Sequence, residues 1–226
     1  PFEALYRYGV DYALYDEIGL EAMVTESAAT ASNLEARGGD RHCNYVTALL
    51  LTGIHAPGID LVYLNGLKDI MEQWDALRHN PAPLENEIYA LSNVYRVDGE
   101  KLIRCAQGPV ACLGDSIESL EWHRIKKMWD VAFDGEMAAA SGPMLVWSPG
   151  SIDLQIDDTS EHGLWSVHKT VFELARRGCW VTSGVRVQDL TSTSKPVILV
   201  NPHQFTPEEI EKVFRCASGS VIAIGT

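Results

Sequence analysis

Clustered positive charge is missing from this chain: 18 lysines and arginines stand against 31 aspartates and glutamates, for a formal net charge of −13. Nucleic acids and anionic membrane surfaces are held by grouped lysine and arginine, so neither is an expected partner. Long apolar runs are missing too. No segment approaches the ~20 consecutive apolar residues that a membrane-crossing helix needs, and no signal peptide opens the sequence. The five cysteines (Cys43, Cys105, Cys112, Cys179 and Cys216) are odd in number and scattered, with no CxxC pair and no zinc-ligand spacing. That pattern argues against a disulfide framework and for free thiols in a reducing cytosol, so the expected location is cytoplasmic. A GxGxxG after a strand, a GxxxxGK[ST], an HExxH and a GxSxG are all lacking. Nothing therefore announces a dinucleotide, a nucleotide phosphate, a zinc hydrolase or a hydrolase elbow, and neither cofactor nor metal is expected.

What remains is ample apolar material. With 46% hydrophobic residues in 226, the chain can bury a core in one large domain or two small ones. The last third is the most regular. Gly142–Ser148, Trp180–Val187, Lys195–Asn201 and Ser220–Gly225 are short runs with apolar or β-branched centres, separated by segments of helical period. Such alternation predicts a doubly wound α/β fold with a parallel sheet. In its clearest unit, the strand Pro196-Val-Ile-Leu-Val200 leads to Thr206 as a helix N-cap, with Pro207 at the first helical position. Glu208 and Glu209 sit at the positive end of the helix dipole, Gly219 at the helix C-terminus, and a strand follows.

The N-terminal region reads as helix (Phe2–Gly19), strand (Ala22–Glu26), irregular loop (Ser27–Asp40), helix (Arg41–His55), strand (Ile59–Leu64) and helix (Leu67–His79), with Asn65-Gly66 as a turn. Two strands are too few for a stable parallel layer. Pro1 in place of Met leaves open that the chain is processed or part of something longer. In the middle, Asn80–Pro83 reads as a linker and Glu85–Val97 as a helix. An Asp98-Gly99 turn competes with that helix for a hairpin. Pro109–Leu113 and a helix capped by Ser116 look like the opening βα unit of the C-terminal domain.

Three positions can carry chemistry. Glu26 ends a predicted strand ahead of a small-residue loop, the place where α/β sheets and barrels project catalytic groups. A glutamate there can act as nucleophile or acid/base group in glycoside hydrolysis if a second carboxylate lies near; a solvated strand-end side chain is the plainer alternative. Asn65 closes the next strand and can donate to a sugar hydroxyl from the same rim, or simply form a turn. Cys112, at a strand-to-helix junction, could be an activated thiol served by His203 and Glu208, against the plainer reading of a core cysteine. Of the six tryptophans, all but Trp74 and Trp165 have core spacing.

The run Pro196-Val-Ile-Leu-Val-Asn201, Thr206-Pro-Glu-Glu-Ile210 and Gly219-Ser-Val-Ile-Ala-Ile-Gly225 resembles the glutamine-amidotransferase-like domain that follows the (β/α)8 barrel in family-42 β-galactosidases. The resemblance implies that residues 1–80 form the last βα units of such a barrel, with Val24-Thr-Glu26 on the seventh strand and Leu61–Asn65 on the eighth. It implies a connecting segment at 81–108 and a non-catalytic, doubly wound domain at 109–226 that serves oligomer formation. Glu26 would be the nucleophile and Asn65 a substrate contact. The implied partners are a carbohydrate substrate, the remainder of the barrel in the same or another chain, and further copies in a homo-oligomer. The Gly-Gly that often precedes the last strand in that family is replaced by Ala217-Ser-Gly219, and the strand carrying an acid/base glutamate is not in the chain. Two other readings stand beside this one: a stand-alone α/β domain that binds a small ligand or a partner, and a cysteine-dependent amidotransferase-like enzyme.

Overall fold

The computed structural model describes residues 2–25, 38–71, 74–79, 81–135, 137 and 139–225. The chain opens with helices α1 (Glu3–Tyr8) and α2 (Tyr12–Glu17), strand β1 (Ala22–Thr25), helix α3 (Gly38–His55) and strands β2 (Asp60–Asp69) and β3 (Trp74–Asp75). Helices α4 (Ala76–His79) and α5 (Pro81–Ser92), strands β4 (Tyr95–Asp98), β5 (Lys101–Arg104) and β6 (Ala106–Gly114), and helix α6 (Ser119–Phe133) follow. The last third holds β7 (Met144–Trp147), α7 (Ile152–Ser160), α8 (Val167–Arg176), β8 (Ser183–Arg186), β9 (Val197–Val200), α9 (Pro207–Cys216) and β10 (Val221–Ile224). The molecule is α/β, with two mainly parallel sheets.

The larger sheet has the order β10-β9-β7-β8-β4-β5, parallel throughout except for the edge strand β5, which pairs antiparallel with β4. Its four C-terminal strands are those the sequence predicted. Alternate residues explain why these strands are apolar at every position. Leu145, Trp147, Ile198 and Val200 enter one core with α3 and α8. Met144, Val146, Val197 and Leu199 enter another with Val213 of α9. The chain winds from β7 to β8 on one side, then returns to β9 and β10 on the other. That reversal makes the carboxyl ends of β7 and β9 the switch point of the sheet, the place where open α/β sheets form a crevice.

Helix α9 forms as its caps require. The Thr206 hydroxyl accepts from the Glu209 amide at 3.2 Å, and the Glu209 carboxylate accepts from the Thr206 amide at 2.9 Å. Two amide donors that a helix start leaves unsatisfied are thereby paired. Thr206→Ala should cost about 1 kcal/mol, read as a lower urea midpoint at unchanged slope. Gly219 works differently from expectation. The helix ends at Cys216, and Gly219 is needed because a Cβ there would stand 2.5 Å from the Ser194 carbonyl oxygen.

The smaller sheet sets β2 between β1 and β6, both parallel to it, with β3 antiparallel on β2 beyond the end of β1. Here several expectations are corrected. The chain does not turn at Asn65-Gly66: β2 continues to Asp69 because Asn65 pairs with Ala111 and Gly66 with Cys112. The helix expected at Leu67–His79 is confined to Ala76–His79. The long N-terminal helix is broken by Gly9, whose φ of 65° caps α1 in the left-handed region. The hairpin prevails over the helix around Asp98-Gly99, since Gly99 takes φ 60° as the first of the two turn residues. Glu118, not Ser116, caps α6, through a reciprocal box with Glu121. The strand containing Pro109–Leu113 does not open the larger sheet; it lies against β2. The larger sheet instead recruits β4 and β5 from the segment read as a connection.

Helix α3 ties the two sheets together. From Val46 to His55 every residue is buried, the polar Thr47, Thr52 and His55 included. The reason is its place: the same core holds Val46, Leu50 and Ile54 of α3, Leu61 and Tyr63 of β2, and Leu145 and Ile198 of the larger sheet. A helix between two layers has no solvent face.

Candidate functional site

Glu26, the candidate nucleophile, lies outside the described residues, directly after Thr25 at the carboxyl end of β1. Asn65 lies in the middle of β2 and is fully buried. Its amide donates to Glu87 Oε1 at 3.1 Å, and its carbonyl accepts from Trp129 Nε1 at 3.1 Å. Helices α5 and α6 supply these partners across a core of Leu67, Leu84, Ile88 and Ile125. Burial, and then the nearby Glu87 carboxylate, push the Tyr63 hydroxyl well above the usual phenol range. The network knits strand to helices. Asn65→Ala should therefore cost about 2–4 kcal/mol by leaving a buried carboxylate oxygen and an indole N–H without their partner. Equilibrium unfolding measures this directly; a change in sugar binding at unchanged stability would instead assign Asn65 to substrate.

The second place of interest is the crevice at the carboxyl ends of β7 and β9. Ser148 follows β7, and its hydroxyl donates to Glu209 Oε1 at 2.8 Å. Ser151, Gln155 and Asp158 lie at i, i+4 and i+7 along α7 and are buried. The Ser151 hydroxyl donates to the Ser148 carbonyl at 2.8 Å and accepts from Gln155 Nε2 at 2.7 Å. The Gln155 carbonyl in turn accepts from the Tyr6 hydroxyl at 2.9 Å, joining α1 to the rim. After β9, Asn201 takes φ 49° and donates to the Trp165 carbonyl at 2.9 Å. His203 Nε2 and Gln204 Nε2 each stand 2.7 Å from Asp158 Oδ2. The Gln204 amide, followed by His203, holds the Asp158 carboxyl below its ordinary range.

A histidine oriented by a buried carboxylate is one half of a nucleophile-activating pair. Neither serine hydroxyl of the crevice plays the nucleophile's part, since both give their protons to other acceptors. His203 takes Asp158 as its carboxylate partner, where Glu208 was expected. Cys112 is held elsewhere. Its backbone pairs with Gly66 in the smaller sheet, whereas His203 follows the larger one. Cys43 and Cys105 are buried, and burial pushes the Cys105 thiol up to about 12. Cys179 is exposed. Titration of the folded protein with an aromatic disulfide should modify Cys179 first and leave Cys43 and Cys105 protected until denaturant is added.

Asp158, Gln155 and Ser151 carried no motif, and the only signal for them was their shared helical face. Trp122 and Trp180, expected in the core, are 39% and 37% exposed. Trp165 is exposed, as its spacing suggested, with the Lys169 ammonium 5.7 Å from its ring. Among the described residues no helix is long and apolar enough to cross a membrane, and no three His, Cys, Asp or Glu side chains converge as metal ligands would. No protein-family model, curated protein or solved structure matches this chain.

Proposed function

We propose that the chain is the carboxyl-terminal portion of a carbohydrate-active, glycosidase-like protein. In this reading β1 and β2 are neighbouring strands of a (β/α)8 barrel wall, Glu26 is its nucleophile, and the larger sheet is an amidotransferase-like domain that serves assembly. One observation carries it: among the described residues the parallel layer β1-β2-β6 is clothed by helices on one face only. Met23, Leu61, Tyr63 and Leu67 turn toward those helices. On the other face Val24 is 55% and Val110 is 44% exposed, with Val62 and Leu64 between them in register. Parallel sheets are normally covered on both faces. Further strands closing over this face would bury it as a barrel interior is buried.

The reading places a demand on β6. A closed barrel sets its first strand beside its eighth, on the flank of β2 that β6 occupies. β6 must therefore yield that flank. The present ladder runs from the Leu61–Ala106 pair to the Lys68–Gly114 pair with one shift in register between Leu61 and Val62, so the reading requires the longer polypeptide to displace an extended pairing.

Turnover of nitrophenyl glycosides by the longer natural polypeptide is the test. Glu26→Gln should lower kcat on the order of 10³-fold or more with the fold intact. Unchanged turnover removes Glu26 from the mechanism, and a natural polypeptide of only 24.9 kDa that unfolds cooperatively alone overturns the reading. The crevice between β7 and β9 favours a second reading, a self-contained α/β domain that binds a small polar ligand, since such reversals are where open sheets bind ligands.

A further inference from the structure

We infer that the groove between the β4–β5 turn and the segment following β8 binds a small organic anion with an apolar body. The inference goes beyond the glycosidase reading and does not rest on it. The groove encloses about 500 Å³, within the roughly 300–1,000 Å³ typical of small-ligand sites. Its apolar lining is Val97, Leu102, Ala139, Met144 and Leu190; the last two are buried and belong to the core of the larger sheet, so this wall is rigid. Its charged lining is Glu100, Lys101 and Lys195. In a chain with a net charge of −13, a concave site with two ammonium groups and one carboxylate is a local reversal of sign, which favours an anion.

The walls are tied to each other. The Thr191 hydroxyl reaches the Gly99 carbonyl at 3.4 Å, joining the segment after β8 to the β4–β5 turn. Lys195, a lining residue, donates to the Ala140 carbonyl, which restrains its ammonium. Burial lowers the pKa of that ammonium; a bound carboxylate or phosphate would compensate the lost hydration, because an opposite charge favours the charged form. The apolar wall has room for a ring or short alkyl body beside the anionic group. An inorganic anion would leave that wall in water.

Isothermal titration with phenyl phosphate and with benzoate, each against inorganic phosphate and phenol alone, tests the inference and separates a phosphate from a carboxylate ligand. Saturable one-to-one binding of at least one aryl anion is expected, with Lys195→Met weakening it about tenfold or more. Lys101→Glu, at an exposed position, should also weaken it and does not depend on the Ala140 contact. The inference is overturned if neither aryl anion saturates, if both lysine variants bind as the parent does, or if inorganic phosphate alone binds equally well.

Discussion

Trp147→Ala is expected to lower folding stability by about 3–5 kcal/mol, the range for emptying a large aromatic from a packed core. Among the described residues Trp147 is the largest fully buried side chain, 1% exposed, at the carboxyl end of β7. Phe2 meets it edge to face at 5.6 Å and 78°, and His55 does so at 5.5 Å and 79°. Phe2 and His55 also meet each other at 5.8 Å and 87°. The three rings join the N-terminal helix, the end of α3 and the larger sheet. Asp11 adds a polar clasp through His55 Nε2 at 2.6 Å. Loss of the indole would therefore undock the N-terminal helices as well as open a cavity, and the two effects add. The conservative change should behave differently. The Trp147 indole N–H is buried with no hydrogen-bond partner among the described residues, so Trp147→Phe removes an unsatisfied donor along with some packing and should cost no more than about 2 kcal/mol. Urea unfolding of both variants checks the pair. A loss below ~1 kcal/mol for Trp147→Ala would mean that the ring cluster does not hold the N-terminus.

Acid should destabilise the protein between pH 6.5 and 4, and His168 should account for roughly 3 kcal/mol of the loss. His168 is 1% exposed on α8, and both ring nitrogens are buried with no hydrogen-bond partner among the described residues. Burial, reinforced by the Lys169 ammonium, brings its pKa from 6.5 down to about 4. The facing carboxylate, Glu3 Oε1, stands 3.6 Å from Nδ1 and is itself half exposed, so it compensates little. The unfolded chain accepts a proton near pH 6.5, whereas the folded protein resists it until about pH 4. The stabilisation is thus complete above pH 6.5 and is lost as the pH falls through that window. The carboxylates held low, Asp158 and Glu173, titrate below it. Replacing His168 by phenylalanine keeps the stacking on Phe172, whose ring lies 6.5 Å away at 6°. Denaturation at pH 7 and pH 4.5 should show the parent losing roughly 2–3 kcal/mol more than His168→Phe. Equal losses would place the acid sensitivity elsewhere.

How much of this was legible beforehand differs between the two ends of the chain. In the last third, local signals and tertiary demands agree. Val197–Val200 is buried on both faces and reads as an unbroken apolar run, and Thr206, Pro207 and Glu209 mark the start of α9. Around Asn65 they disagree. Asn65-Gly66 is strong turn chemistry, yet pairing of both residues with β6 and the bonds to Glu87 and Trp129 carry the strand through. Those partners lie 22 and 64 residues away, and nothing local announces them. Cys112 could be seen near a strand end, but its pairing partner could not.

The α/β character, the parallel strands of the last third, the caps of α9 and the net negative charge could all be read along the chain. These follow from periodicity, capping chemistry and charge, which act within a few residues or over the whole composition. The place of α3 between two sheets, the pairing of β6 with β2, the extension of the larger sheet by β4 and β5, and the hold of Asp158, not Glu208, on His203 emerge only in the folded molecule. Each of those depends on contacts between residues distant in the chain. Their free energy comes from apolar area and buried polar pairing realised only once the layers have met.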